Sequence, residues 1–183
     1  MTRPSVDLVA KDVMTAVADW LGGIFPEGMP IVQGQANRVA PPAFKNPADP
    51  RQDFRPPEWY QLTQVGLERL GANCERIASG MRGITSTNIF SVQVDIFGKE
   101  ADRYAQILQT MARDWDSLGE FPAGIRPLYA DNPKQLPIIN DAGQWERRWT
   151  VTLAVQFDPT LTLPADTLTT ATIVPIPADV LIL

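Results

Sequence analysis

The sequence predicts an α+β fold, a mostly antiparallel sheet with two helices packed on one face, a long proline-rich loop and an extended C-terminal arm. Three observations predict it. Residues 5–21 and 99–117 repeat apolar side chains at the three-and-four spacing of a helix with one buried face. Residues 86–97 and 145–157 alternate apolar and polar side chains, the period of a half-buried strand. Strands that follow one another through short turns favour antiparallel pairing, with the helices on one side. The length of 183 residues suits one domain with an arm. The expected layout is a body over 1–157, a loop inserted at 40–57, and an arm over 158–183.

The first helix is predicted over 5–21, with Ser5 as N-cap and Asp7 in the positive first turn. Val6, Val9, Val13, Ala16, Val17, Trp20 and Leu21 form its buried face, and Gly22 and Gly23 end it. Residues 29–35 are a short strand candidate. Residues 40–57 show no periodicity and hold many of the chain's 17 prolines. Their charges alternate in sign through Lys45, Asp49, Arg51, Asp53 and Arg55, with Phe44 and Phe54 between them. The segment is either a solvated loop or one that orders against a partner, with arginine and phenylalanine as anchors.

Strands are predicted at 59–65, 72–82 and 86–97, the last with Phe90, Val92, Val94 and Ile96 inward. The second helix, 99–117, buries Ala101, Tyr104, Ala105, Leu108, Met111, Ala112 and Trp115. Residues 125–130 read as a short strand. In 145–157, Trp145, Trp149, Val151, Leu153, Val155 and Phe157 share one face. Arg147 interrupts the row at the sheet rim, its stem packed and its charge in water. After Arg148 the chain has no lysine or arginine. An apolar arm left in water gains little, so it either folds back on its own sheet or lies on a neighbour as an added strand.

Composition restricts the chemistry. With no histidine and one cysteine, a zinc site of cysteine and histidine and a Ser–His–Asp triad are both excluded. A formal net charge of −5 argues against a surface that coats nucleic acid. The lone Cys74 fits a reducing compartment, and no apolar run reaches membrane-spanning length or resembles a leader. Phosphate-loop, dinucleotide-binding and nucleophile-elbow motifs do not occur.

The sharpest candidate for chemistry is "SVQVDIFGKEADRYAQILQ", residues 91–109, where Asp95, Glu100 and Asp102 surround a strand–glycine–helix corner. Catalytic carboxylates must face one cleft. Glu100 and Asp102 are two apart on a helix and diverge by about 200°. Acids in a first helical turn have a plainer role, complementing the exposed N–H groups by roughly 0.3–1 kcal/mol each. Gly98 permits the reversal. A magnesium cluster from Asp102, Asp114, Asp116 and Asp131 lacks a converging third ligand. A stacking platform for single-stranded nucleic acid at 145–149 yields to Trp145 and Trp149 as core. No catalytic, cofactor-binding or metal-binding residue is assigned, no cofactor is expected, and the chain is read as no enzyme.

Four segments carry a resemblance that runs over residues 5–157: "IVQGQANRVAPP" (31–42), "VDIFGKEADRYAQILQTMARD" (94–114), "GIRPLYADNPKQLPIIN" (124–140) and "WERRWTVTLAVQF" (145–157). Together the chain resembles the tail terminator, or neck, proteins of tailed bacteriophages and prophages. That resemblance implies a structural virion protein. It implies a ring, commonly of six subunits, that caps the head-proximal end of the tail tube and docks to the head connector or stopper. Contractile tails add a sheath contact. By the same resemblance DNA is expected to pass through the lumen without sequence-specific binding, a role that the acidic balance of the chain suits. No membrane contact is expected, and assembly is expected in the bacterial cytoplasm.

Arg38, Phe44, Arg51, Phe54 and Arg55 are the candidate partner contacts. Removing 160–183 is expected to weaken assembly and leave the core folded. Three rivals remain: another ring component such as a tube or head-side stopper protein, a metal-dependent hydrolase using Asp95 or Asp131, and a monomeric binding module.

Overall fold

The computed structural model describes residues 4–34, 44–46, 49–54, 58–136, 138–139 and 145–165, with the backbone alone at 44–46, 49–54, 138–139 and 145. In chain order the elements are β1 (Ser5–Val6), α1 (Ala10–Ile24), β2 (Ile31–Gln33), β3 (Phe44–Asn46), β4 (Asp49–Phe54), β5 (Glu58–Arg69), β6 (Cys74–Ala78), β7 (Met81–Thr85), β8 (Asn88–Gly98), α2 (Ala101–Met111), α3 (Trp115–Gly119), β9 (Ile125–Ala130), β10 (Lys134–Gln135), β11 (Ile138–Ile139), β12 (Trp145–Glu146), β13 (Arg148–Phe157) and β14 (Thr160–Pro164). The class is α+β, with mostly antiparallel sheets.

The main sheet has the order β10-β13-β8-β5-β2, with β9 beside β10 on the same flank of β13. Its alternation is the one the sequence shows. Phe90, Val92, Val94 and Ile96 of β8 and Val151, Leu153 and Val155 of β13 are fully buried on the helix side. They meet Val13, Val17 and Leu21 of α1 and Ala101, Ala105 and Leu108 of α2 in one core. Trp149 packs partly buried against that core. Arg147 sits exposed between β12 and β13, its carbonyl accepting the Gly98 N–H. The one departure from antiparallel pairing in this sheet is β2, which runs parallel to β5. The chain between them includes the β3–β4 hairpin, so the return is long enough for a parallel crossover.

The first helix starts later than its spacing suggests. Ser5 is no N-cap: Ser5 and Val6 pair with Thr162 and Leu161 of β14. Asp7 lies outside the helix, and its Oδ1 accepts the Thr160 N–H at 2.7 Å. The α1 N-terminus is held instead by Asp12, whose carboxylate accepts the Val9 N–H at 2.7 Å. Gly22 and Gly23 fall inside the last turn rather than beyond it. Burial of Phe25, whose ring meets Tyr60 edge-on at 5.1 Å, explains this. Burying a phenylalanine contributes about 1.5–3 kcal/mol, against about 0.5–1 kcal/mol lost per helical glycine.

The second helix is two helices. The α2 run stops at Met111, and Asp114 caps α3 by accepting the Asp116 N–H at 3.2 Å. The Met111 carbonyl freed by the break accepts the Asp114 N–H and the buried Ser117 hydroxyl. The re-aimed chain puts Trp115 outside the core, 82% exposed, where the spacing placed it inside.

The region read as one strand at 72–82 is a hairpin. Ser79 and Gly80 both take positive φ, 52° and 72°, the geometry of a two-residue turn between β6 and β7. A second, four-stranded sheet follows, with the order β1-β14-β7-β6. The arm's first residues therefore fold back onto their own chain as β14. Residues 166–183 lie outside the described residues. Within 40–57, residues 44–46 and 49–54 pair as strands. The segment carries no apolar alternation, so periodicity gave no sign of the ribbon.

Candidate partner-contact surface

The acid corner proves to be a joint. On the face of the main sheet away from the helices, the registers align three rows across β5, β8 and β13. These are Trp59–Phe97–Arg148, Gln61–Asp95–Thr150 and Thr63–Gln93–Thr152. Asp95 is 2% exposed. Its carboxylate accepts the Thr150 hydroxyl at 2.6 Å, Arg148 Nη2 at 2.8 Å and Gln93 Nε2 at 2.8 Å. The Arg148 guanidinium lies over Phe97, which stacks on Trp59 at 4.0 Å. A buried carboxylate with three donors is satisfied and clamped, and its lone pairs face protein rather than a cleft.

Glu100 and Asp102 are likewise structural. Gly98 turns the chain at φ 124°. Glu100 stands at the α2 N-cap position but offers no side-chain cap. Glu58 of β5 supplies it, its Oε1 accepting the Glu100 N–H at 3.2 Å. Asp102 sits exposed in the first turn, where its charge complements the helix end. Asp131 is exposed at the end of β9. Among the described residues, no three cysteine, aspartate or glutamate side chains gather as a metal site. The hydrolase's requirement, converging carboxylates, is not met at Asp95.

Two titrating groups report the packing. Burial, with Asp19 adding to it, pushes the Tyr60 hydroxyl above its ordinary range. On the exposed hairpin, hydrogen bonds from Arg82 hold the Glu75 carboxyl below its ordinary range.

Of the candidate contacts, Phe44 and Phe54 stand directly opposite each other in the β3–β4 ribbon, and Arg51 lies in β4. Arg38 and Arg55 lie outside the described residues. Other surface apolar groups went unread in the sequence. Besides Trp115, they include Val65 and Leu67 of β5, Leu70 beyond it and Ile77 of β6, each between 48% and 64% exposed. The Ser79–Gly80 dipeptide was the available signal for the hairpin that carries Ile77. The Asp114–Trp115–Asp116–Ser117 run was the signal for a new helix start.

No helix among the described residues is long and apolar enough to cross a membrane. No curated protein sequence matches the chain significantly. The model of a family described as phage neck terminator protein matches residues 11–179. The match continues past 157 and takes in most of the segment that the sequence resemblance left out. This family is structural and belongs to the neck of the phage particle, where its members meet other head and tail proteins. The chain belongs to the phage neck terminator family.

Proposed function

We propose that the protein forms a closed ring, of six copies, on the head-proximal end of the tail tube. There it stops tube growth and presents the surface that joins the head connector. In a contractile tail the same ring meets the last ring of the sheath. DNA passes through the lumen without base-specific contact. The observation that carries this reading is the neck terminator match over residues 11–179. The engagement of Asp95 and Glu58 in joints of the fold supports it, because it leaves those acids to architecture rather than chemistry. The formal charge of −5 suits a lumen that DNA must leave.

The partner contacts in this reading are Arg38, Phe44, Arg51, Phe54 and Arg55, with the residues after 165. Phenylalanine and arginine are favoured anchors at protein interfaces. The test is addition of purified protein to tail tubes grown without it, viewed by negative-stain microscopy. One ring at one end of each tube, and tubes of uniform length when the protein is present during growth, are expected. Tubes that stay bare and grow past their normal length sink the proposal. Charge reversal at Arg38, Arg51 or Arg55 that leaves head joining unchanged removes that residue from the contact set.

A further inference from the structure

The second sheet has one polar and one apolar face. Its registers place two rows on the apolar face, Val6–Leu161–Ile84–Glu75 and Leu163–Arg82–Ile77. The opposite face carries the row Ser5–Thr162–Gly83–Arg76, and beside it Thr160 hydrogen-bonded to Thr85 at 2.9 Å. Such alternation belongs to a sheet with one side covered. Yet no residue of β1, β6, β7 or β14 is buried. None of the five aliphatic side chains packs against the main core, and Val6 and Ile77 are 51% and 64% exposed.

We propose that residues 166–183 of one copy lie across this apolar face of the next copy. This rests on the ring reading and names one of its subunit contacts.

The place where the described chain stops selects the occupant. The Ala165 N–H donates to the Gly80 carbonyl, so residue 166 begins at the end of this same sheet. The 18 residues from there on hold Leu168, Ile173, Val174, Ile176 and the run Val180 to Leu183, with Asp166 and Asp179 as their only charged side chains. The one acid on the apolar face, Glu75, is tied to Arg82. An apolar segment with two acids therefore meets apolar side chains and no unpaired carboxylate there.

Direction selects the next copy. Thr160 lies opposite Thr85, close to the main sheet, and Pro164 lies opposite Met81, beside the hairpin turn. The strand thus carries the chain outward, away from its own core, by roughly 17 Å between Thr160 and Ala165. Residues 167–174, "TLTTATIV", are mostly β-branched and hold no glycine, proline, asparagine or aspartate. That composition favours a straight extended run over a reversal. At strand rise it places Ile173 and Val174 roughly 26–30 Å beyond Ala165, past the end of their own sheet. Each copy then gives one segment and receives one, and a contact between unlike surfaces repeats until it closes as a ring.

The test uses the full chain in two double variants, Val6→Asp with Ile77→Asp in the face, and Ile173→Asp with Val174→Asp in the segment. Each is studied alone and in equal mixture by sedimentation velocity over a concentration series. Val6 and Ile77 are exposed, and circular dichroism checks folding; Ile77→Asp alone replaces the face variant if strand signal is lost. The wild type is expected to assemble, and each variant alone to be monomeric. The mixture is expected to form dimers and nothing larger, because one variant keeps the face and the other the segment. A mixture that stays monomeric overturns the inference, as segments lying on their own sheets would produce. Rings that persist in both variants overturn the contact and leave the ring reading standing. A wild type that stays monomeric at every concentration also overturns the contact, while the microscopy of capped tubes judges the ring by itself.

Discussion

Glu58 and Glu100 are joined by a strand-to-helix cap: the Glu58 carboxylate accepts the Glu100 N–H at 3.2 Å. The helix that packs on the sheet is thus fastened at its positive end by the sheet itself. Glu58→Ala should destabilise the fold by about 1 kcal/mol, the usual worth of a cap. Glu58→Gln keeps an acceptor and should recover roughly half of that, the remainder being charge at the helix end. Urea titration of the three proteins distinguishes cap from charge. Equal stability for Glu58→Ala and the wild type would show that the contact carries no weight.

Asp95 joins β8 to β13 beneath the polar face. Asp95→Ala leaves Arg148 unpaired with about a quarter of its side chain exposed. The expected loss is about 3 kcal/mol, the lower end for a broken buried pair, because Arg148 can reach some water. A lowered midpoint in thermal unfolding is the expected outcome, and an unchanged midpoint would show that the joint carries no weight.

Tyr60 sets an alkaline limit. Its hydroxyl is pushed above the ordinary range by burial first and by Asp19 second. A raised folded-state pKa means the stabilisation is complete below the unfolded tyrosine pKa of about 10. It is lost as pH rises from there through the folded value. Tyr60→Phe should therefore flatten the fall in stability above about pH 10. Parallel curves for both proteins would assign the fall to other groups.

Truncation should show two thresholds. A chain ending at residue 165 keeps β14, its pairing with β1 and β7, and the Ala165-to-Gly80 hydrogen bond. Its melting temperature should match that of the full chain. A chain ending at residue 159 loses the strand between β1 and β7, and the hairpin should become protease-sensitive. Removal of 160–183 is still expected to leave the main core folded, but it takes β14 out of the second sheet.

Local signals carried the elements that local forces decide. The alternation in β8 and β13, the buried face of α2 and the reversal at Gly98 could all be read from neighbouring residues. What escaped depends on partners far along the chain. Asp7 looks like a first-turn acid until Thr160 claims it. Asp95 looks solvent-facing until Arg148 and Thr150 arrive from another strand. The α2 cap comes from Glu58, 42 positions earlier. Trp115 fits the apolar spacing, but Asp114 beside it restarts the helix and turns it out. For the assembly surface, residue type pointed to arginine and phenylalanine in a proline-rich segment. The exposure of Trp115, Leu67, Leu70 and Ile77 is visible only in the fold.

The second sheet also carries a timing. Asp7 and Thr160, bonded across its first pair of strands, stand 153 positions apart in the chain. The β6–β7 hairpin is synthesised long before β14, and a lone hairpin is marginal in water. Contacts between such distant segments form late, after the chain closure they require. A growing polypeptide thus presents only a loosely ordered hairpin. The second sheet gains its full rigidity only once that last strand arrives.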